Sequence, residues 1–382
     1  MSREKPAVLF VDGHTWEAFS ALAGVLRMRG FAVRHVTARP GGARLRAQQQ
    51  LDVPLYGRPR RLVVPRSRPG QAATIPDADL PALVGTDVID VQAHDDLARA
   101  VASAPNPVAA LGRRVGSKID PAVLYDKWVM AETVARFGIP TPRVWDRPTA
   151  RSFPVVVKAR TGFAGTAVRV AQDADQLARA WDYLTSLSGD TPFVQAFHGA
   201  GLVKSGGVAR DGDLIVSAAY LSHPEPTDPK GPPLLAAVTS HPRIEGLTRR
   251  LVEQIGYTGF FNTDWVVDDR GNPYLIDLNA RAFGSWPALQ ACGVDFVGAY
   301  LHTLDMGPRP VPAQVRHGEY HRVLRFPFPP APSRSALLLR RRQSLEIIEY
   351  RRGWLGNRWA SVSRAKAELA TAQEWARLRM RA

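Results

Sequence analysis

Two segments of this 382-residue chain bring together side chains that could hold a metal and a phosphoryl group. They are Asn262-Thr263-Asp264 and Asp277-Leu278-Asn279-Ala280-Arg281. Each follows a strand-like apolar run, with Asp268-Asp269-Arg270-Gly271-Asn272 as the turn between them. Strand residues two apart share a face, so Asp277 and Asn279 project together. Paired antiparallel with Asp264, they gather two carboxylates and an amide oxygen at one end of a sheet. Hard oxygen donors of this kind hold Mg²⁺, which completes its shell with phosphate oxygens. A solvated hairpin with acids at its edge is the competing explanation. Asp277 closes the apolar run Tyr274-Leu275-Ile276, where a stray acid is unexpected, and this favours the metal. Arg281 lies on the same side and suits a clamp on a phosphoryl group.

A second group is Lys158-Ala159-Arg160-Thr161-Gly162-Phe163-Ala164-Gly165-Thr166. The apolar run Val155–Val157 delivers Lys158 into a buried setting, where an ammonium needs an anion. Glycines let backbone N–H groups approach phosphate oxygens. The lysine precedes the glycines, so this is not a P-loop, and an ordinary hairpin turn fits these residues equally well. Other candidates are single residues. Lys204, Arg210, His223, His241 and Arg243 flank the expected pocket, each a possible carboxylate ligand or a surface charge. Ser285 and Trp286 follow Gly284 and either line an acceptor pocket or pack. Cys292 reads as a small core residue.

The elements that position these groups follow from periodicity. Residues 7–37 read as strand, helix, strand: Ala7–Val11, then Trp16, Phe19, Leu22, Ala23 and Leu26 at spacings of three and four, then Phe31–Val36 after Gly30. A unit of this length implies a parallel pair. Arg61–Val64 and Val88–Val91 are further strands, and Asp95–Ala102 a helix. Asp126-Lys127-Trp128 opens a helix through about Arg136, ended by Gly138 and by prolines 140 and 142. Val168–Val170 returns beside Val155–Lys158, Asp173–Thr185 is a helix, and Phe193–Phe197 is a strand. Leu202–Tyr220 is a hairpin turning at Arg210-Asp211-Gly212-Asp213, and residues 244–256 are a helix. Residues 222–233 hold five prolines, which predicts a long irregular loop. Residues 308–334 also read as irregular, and Ser361–Ala382 as helical.

Composition bounds the rest. The length predicts two or three subdomains, and 45% hydrophobic residues exclude wholesale disorder. One cysteine excludes an intramolecular disulfide and argues against a cysteine-based metal site. No apolar run is long enough to span a membrane, and Ala7–Val11 is too short for a signal-peptide core, so a soluble, cytoplasmic protein is expected. The net charge of +15 divides into +7 over residues 1–118, −3 over 119–308 and +11 over 309–382. The basic ends suit anionic ligands and leave nucleic acid open as a partner. No helix-turn-helix, zinc-finger or RNA-binding aromatic signature supports that.

Taken together and in order, the motifs of residues 119–305 resemble the ATP-grasp superfamily, and within it most of all the carbamoyl-phosphate-synthase-like ligases. The resemblance rests on Asp126-Lys127, Phe137–Pro142, Val155–Lys158 with Gly162 and Gly165, Phe193–Gln195, Gly259–Asp264, and Tyr274 through Ser285. It implies an α/β chain with a Rossmann-like N-terminal domain over 1–118. A two-part ATP-clamping domain would span 119–308, its lid subdomain over about 148–198, and a basic C-terminal extension would follow over 309–382. Lys127 and Lys158 would contact ATP phosphates, and Gly162, Phe163, Ala164, Gly165 and Thr166 would cover them. The backbone of Phe193, Val194 and Gln195 would meet adenine. Asp264, Asp277 and Asn279 would bind Mg²⁺, or Mn²⁺ in its place, and Arg281 and Lys158 would serve catalysis. Arg243, His223, Ser285 and Trp286 are the substrate candidates. The chain departs from the family pattern with Asp277 for glutamate, Ala280 for proline, and Gln195-Ala196 where an acid usually meets the ribose.

The activity so implied is ATP-dependent, ADP-forming amide or peptide bond formation between a small carboxylate and an amino-acid-like amine, in a specialised pathway. An ATP-dependent carboxylase or phosphotransferase on the same scaffold is the alternative, as is a nucleotide- or RNA-binding protein without turnover. Homo-oligomerisation is left open.

Overall fold

The computed structural model describes residues 6–12, 17–38, 60–62, 88–94, 118–148, 152–161, 167–188, 190–198, 201–225, 228–311, 314–318 and 320–322. The expected glycine loop 162–166, the helix at 95–102 and the helical tail at 361–382 lie outside them.

The N-terminal sheet is parallel, in the order β3-β2-β1-β4, from β1 (Ala7–Asp12), β2 (Ala32–Ala38), β3 (Arg60–Leu62) and β4 (Val88–Ala93). Helix α1 (Glu17–Met28) crosses from β1 to β2 and buries Phe19, Leu22, Ala23 and Leu26, the stripe read from their spacing. Phe19 packs edge-on against Phe10 at 5.5 Å. Gly30 ends the crossover at φ +89°, a value that suits glycine.

Helix α2 (Lys127–Arg136) opens the next region, capped by Asp126, whose side chain accepts from the N–H groups of Trp128 and Val129. A four-stranded antiparallel sheet follows, in the order β5-β8-β6-β7, from β5 (Val144–Trp145), β6 (Val155–Lys158), β7 (Val168–Ala171) and β8 (Phe193–Ala196). Helix α3 (Ala174–Ser188) lays Leu177, Ala180 and Leu184 on Val155, Val157 and Val194, giving this sheet a core of its own.

The third sheet has six strands in the order β13-β12-β9-β10-β11-β14. They are β9 (Gly201–Arg210), β10 (Asp213–Glu225), β11 (Asp228–Val238), β12 (Gly259–Val267), β13 (Pro273–Asn279) and β14 (Tyr320–Arg322). One face packs Phe261, Trp265 and Leu275 against α2 and α4 (Pro242–Ile255). The other packs Phe260, Val208 and Ala218 against α1, α5 (Trp286–Ala291) and α6 (Phe296–Thr303).

Two expectations are corrected. The proline-rich run is a β-ribbon: Ser222 pairs with Ala236, Pro224 with Pro233 and Glu225 with Asp228. Prolines disrupt a strand by removing ladder donors. Here β9 has left β10 after Tyr220 and β14 pairs β11 only from Leu235 onward, so among the described residues no third strand flanks the ribbon, and register shifts at Pro224 absorb the misfit. Residues 320–322, expected to be irregular, pair with β11 as the sheet's edge strand.

Candidate active site

Asp277 on β13 stands opposite Asp264 on β12, Asp264 opposite Lys204 on β9, and Lys204 opposite Tyr220 on β10. Directly opposed residues share a face, so these four form one rung across four strands, each step about 4.8 Å. In the neighbouring rung Asn279 faces Asn262, and Asn262 faces Gly206. The face that carries Phe260 and Val208 as core thus turns polar from Asn262 onward.

A β-bulge makes this possible. Asp264 pairs with Asp277, but the next residue, Trp265, pairs with Leu275, leaving Ile276 as the extra residue. At period two, Leu275 and Asp277 would share a face. The extra residue sends Leu275 to the core beside Trp265 and Asp277 to the cleft. The Ile276 carbonyl accepts the Lys158 ammonium at 3.0 Å.

Lys158 ends β6, and Lys127 begins α2. Arg160 grips the Asp126 cap, with Nε at 3.1 and 2.9 Å from its two carboxylate oxygens, while its backbone carbonyl accepts the Lys127 N–H at 2.9 Å. That clamp docks the helix start onto the segment after β6, so Lys127 reaches Asp277 while Lys158 meets the neighbouring Ile276 carbonyl. Lys127 Nζ lies 2.5 Å from Asp277 Oδ1. Burial lowers the Lys158 pKa from 10.5 to about 8; Asp277 opposes that shift, Lys127 adds to it, and Asp264 opposes it.

Farther along the rung, Lys204 Nζ lies 3.0 Å from Asp264 Oδ2. Asn262 donates to Asp264 Oδ1 at 3.0 Å, and the Tyr220 hydroxyl donates to Asn262 Oδ1 at 2.7 Å. Burial, and then Asp264, hold that phenol protonated well above its ordinary range, with Ser285 beside it. Arg281, 7% exposed, donates to Asn279 Oδ1 at 3.2 Å and to the Ala282 carbonyl at 3.3 Å. Gln92, from the N-terminal sheet, accepts the Ala282 N–H at 3.0 Å.

The structure therefore brings together Lys127, Lys158, Asp264, Asp277, Asn279, Arg281 and Ser285. It does not bring Trp286 or Arg243. Trp286 is fully buried, its indole N–H on the Ala18 carbonyl at 3.2 Å, because it plugs the core between α1 and the large sheet. Arg243 is exposed and donates to Asn272 Oδ1 at 2.7 Å, at the turn end of the β12–β13 hairpin. His223 lies in β10 within the ribbon, its side chain outside the described residues. His241 caps α4, accepting from the Ile244 N–H, and Arg210 pairs with Asp305. Phe193, Val194 and Gln195 are the expected adenine contacts. Phe193–Gln195 sit in an interior strand between β5 and β6, whose ladders take up their peptide groups. Phe197 and His198 lie past the last pair, and the His198 ring stacks on Tyr274 at 4.1 Å.

Asp264, Asp277 and Asn279 form an oxygen donor set suited to Mg²⁺. Among the described residues no group of three or more His, Cys, Asp or Glu could hold a metal, in keeping with a set of two carboxylates and an amide that leaves room for phosphate oxygens. Thr161, at the root of the glycine loop, keeps a buried hydroxyl with no partner among the described residues. Nothing in the sequence marks Tyr220 or Gln92, because their partners come from other elements.

No family model matches the chain. Among curated proteins it is similar to the carbamoyl phosphate synthase large chain of Rubrobacter xylanophilus, 28% identical over 196 residues, 46% of this chain. It spans 18% of that protein's length. Among solved structures it is similar to the biotin carboxylase domain of 2-oxoglutarate carboxylase from Hydrogenobacter thermophilus, bound to MgADP, ADP and bicarbonate (TM-score 0.58, 17% identity, 82% of this chain and 73% of that one). It is also similar to the L-amino acid ligase of Bacillus licheniformis (0.53, 17%, 79% and 74%). A third is the carboxyaminoimidazole ribonucleotide synthase of Aspergillus clavatus, complexed with ATP (0.58, 14%, 83% and 80%).

Proposed function

The chain has the ATP-grasp fold, and on that premise we propose that it is an ATP-dependent, ADP-forming carboxylate–amine ligase. The observation that supports this reading is the rung, with paired carboxylates and two nearby lysines at one end and Arg281 beside it. Lys127 and Lys158 hold the ATP phosphates, exchanging their present carboxylate and carbonyl partners for phosphate oxygens. Asp264, Asp277 and Asn279 would hold Mg²⁺, which neutralises phosphate charge and orients the terminal phosphoryl group. A carboxylate oxygen of the acid attacks the γ-phosphorus, the bond to the β-phosphate oxygen breaks, and ADP leaves. Arg281 neutralises the charge on the transferred group, already aimed by Asn279 and the Ala282 carbonyl. The amine nitrogen then attacks the acyl carbon, phosphate leaves, and the amine gives up a proton. Phosphoryl transfer asks mainly for positioning and charge neutralisation, which these residues supply.

The test supplies purified protein with Mg-ATP and pooled amino acids, small carboxylic acids and bicarbonate, with Asp277→Ala as the control. ADP together with a new mass equal to two pool members less water is the expected result, and at least about a hundredfold less ADP in the variant. AMP in place of ADP, or wild-type turnover in Asp277→Ala, would sink the reading. ADP formed only with bicarbonate would move it to a carboxylase.

A further inference from the structure

Each carboxylate of the rung carries a lysine, and the two lysines face different ends of the cleft. Lys127 belongs to the nucleotide end, at the start of α2 near Lys158. Lys204 lies on the opposite flank of Asp264, one strand farther from Asp277, with Tyr220 next to it across β10. Its side chain and that of Asp264 are each 18% exposed, so the pair is largely withdrawn from water.

We infer that Lys204 anchors the carboxylate of the acid substrate and waits on Asp264 until that carboxylate is taken by a divalent cation. The inference rests on the ligase reading and deepens it. A divalent cation on Asp264 neutralises the charge that holds Lys204 and repels its ammonium, so the ion pair weakens when the cation site forms. A largely buried ammonium that has lost its counterion needs another anion. The acid must enter beside the transferable phosphoryl group, and Lys204 stands one strand spacing, about 4.8 Å, from Asp264. The Tyr220 hydroxyl, now donating to Asn262, and Ser285 beside it lie at that same end, and either would have to turn from its present partner to meet a second carboxylate oxygen. Binding is consequently ordered: the acid is held only after the metal.

The test uses Mn²⁺ and acetate as probes on the full chain, in wild type, Lys204→Met and Lys204→Arg. Free Mn²⁺ is followed by electron paramagnetic resonance without nucleotide. Lys204→Met should bind Mn²⁺ about tenfold more tightly, having no ammonium to displace, and Lys204→Arg should resemble wild type. Relaxation of the ¹³C-carboxylate of acetate by bound Mn²⁺-ADP is then measured. It should be enhanced in wild type and in Lys204→Arg, and lost in Lys204→Met. Mn²⁺ affinity unchanged or weaker in Lys204→Met, or acetate relaxation unchanged there, overturns the inference while leaving the ligase reading in place. Wild type that fails to bind Mn²⁺-ADP at all would instead remove the ligase reading, and this inference with it.

Discussion

Burial of the Lys158 ammonium lowers its pKa from 10.5 to about 8, and that shift sets a pH window for both stability and binding. Below pH 8 the folded and unfolded chains both hold the proton, and the cost of burying it is complete, about 3 kcal/mol. Between pH 8 and 10.5 the unfolded chain binds the extra proton, so stability rises with pH and the cost disappears. Lys158→Met should therefore raise the melting temperature of the ligand-free protein at pH 7, and the gain should shrink as pH climbs through that window. The same variant should lose at least about tenfold in ATP affinity, and wild-type affinity should fall as pH passes 8, because phosphate prefers the protonated lysine. Calorimetry across pH and nucleotide titration check both; unchanged ATP affinity would remove Lys158 from the site. Lys158 was legible because a charged residue ending Val-Val-Val stands out. Lys204 and Tyr220 gain their meaning from a register across four strands, which no short window contains.

Among elements, β9 shows how closely two layers approach. A Cβ at Gly206 would lie 2.2 Å from the Phe283 ring, which stacks on Tyr220. Gly206→Ala should cost about 1–3 kcal/mol through displacement of that ring, and Phe283→Leu in the same chain should recover part of it. Denaturant unfolding of the two single variants and the double checks this; additive losses would mean the ring is not what the new methyl meets. The strands themselves were legible, since β6, β12 and β13 follow their apolar runs and α1 its stripe. The bulge at Ile276 was not, because an extra residue in a ladder leaves no mark on composition. The proline ribbon hides from the sequence for a related reason. Proline forbids an interior strand, but the departure of β9 that makes it tolerable beyond Tyr220 belongs to the sheet, not to the segment.

In the whole molecule the three sheets differ in independence. The β5–β8 sheet closes its own core with α3, whereas the N-terminal sheet shares one with the far end of the described chain. Phe10, Phe19 and Leu22 cluster with Phe283, Trp286, Phe296 and Tyr300, and Gln92 holds the Ala282 peptide beside Arg281. A chain lacking residues 1–117 should therefore be insoluble or bind a hydrophobic dye strongly, since Trp286 and its neighbours lose their cover. A soluble, cooperatively unfolding product would show the two regions to be separable. The sequence changes character near residue 118, while apolar residues as far apart as Phe19 and Trp286 carry no local sign that they will share a core.

The bond from the Trp286 indole to the Ala18 carbonyl joins residues 268 positions apart. On a ribosome adding about 5–20 residues each second, α1 emerges some 13–54 s before the residues that seal it. During that interval Phe19, Leu22 and Leu26 have β1 and β2 to shelter them but lack α5 and α6. The N-terminal sheet should therefore be open to chaperones while the rest of the chain is translated, and faster synthesis should lower soluble yield without touching the finished fold, which pulse-labelled expression at two elongation rates would check.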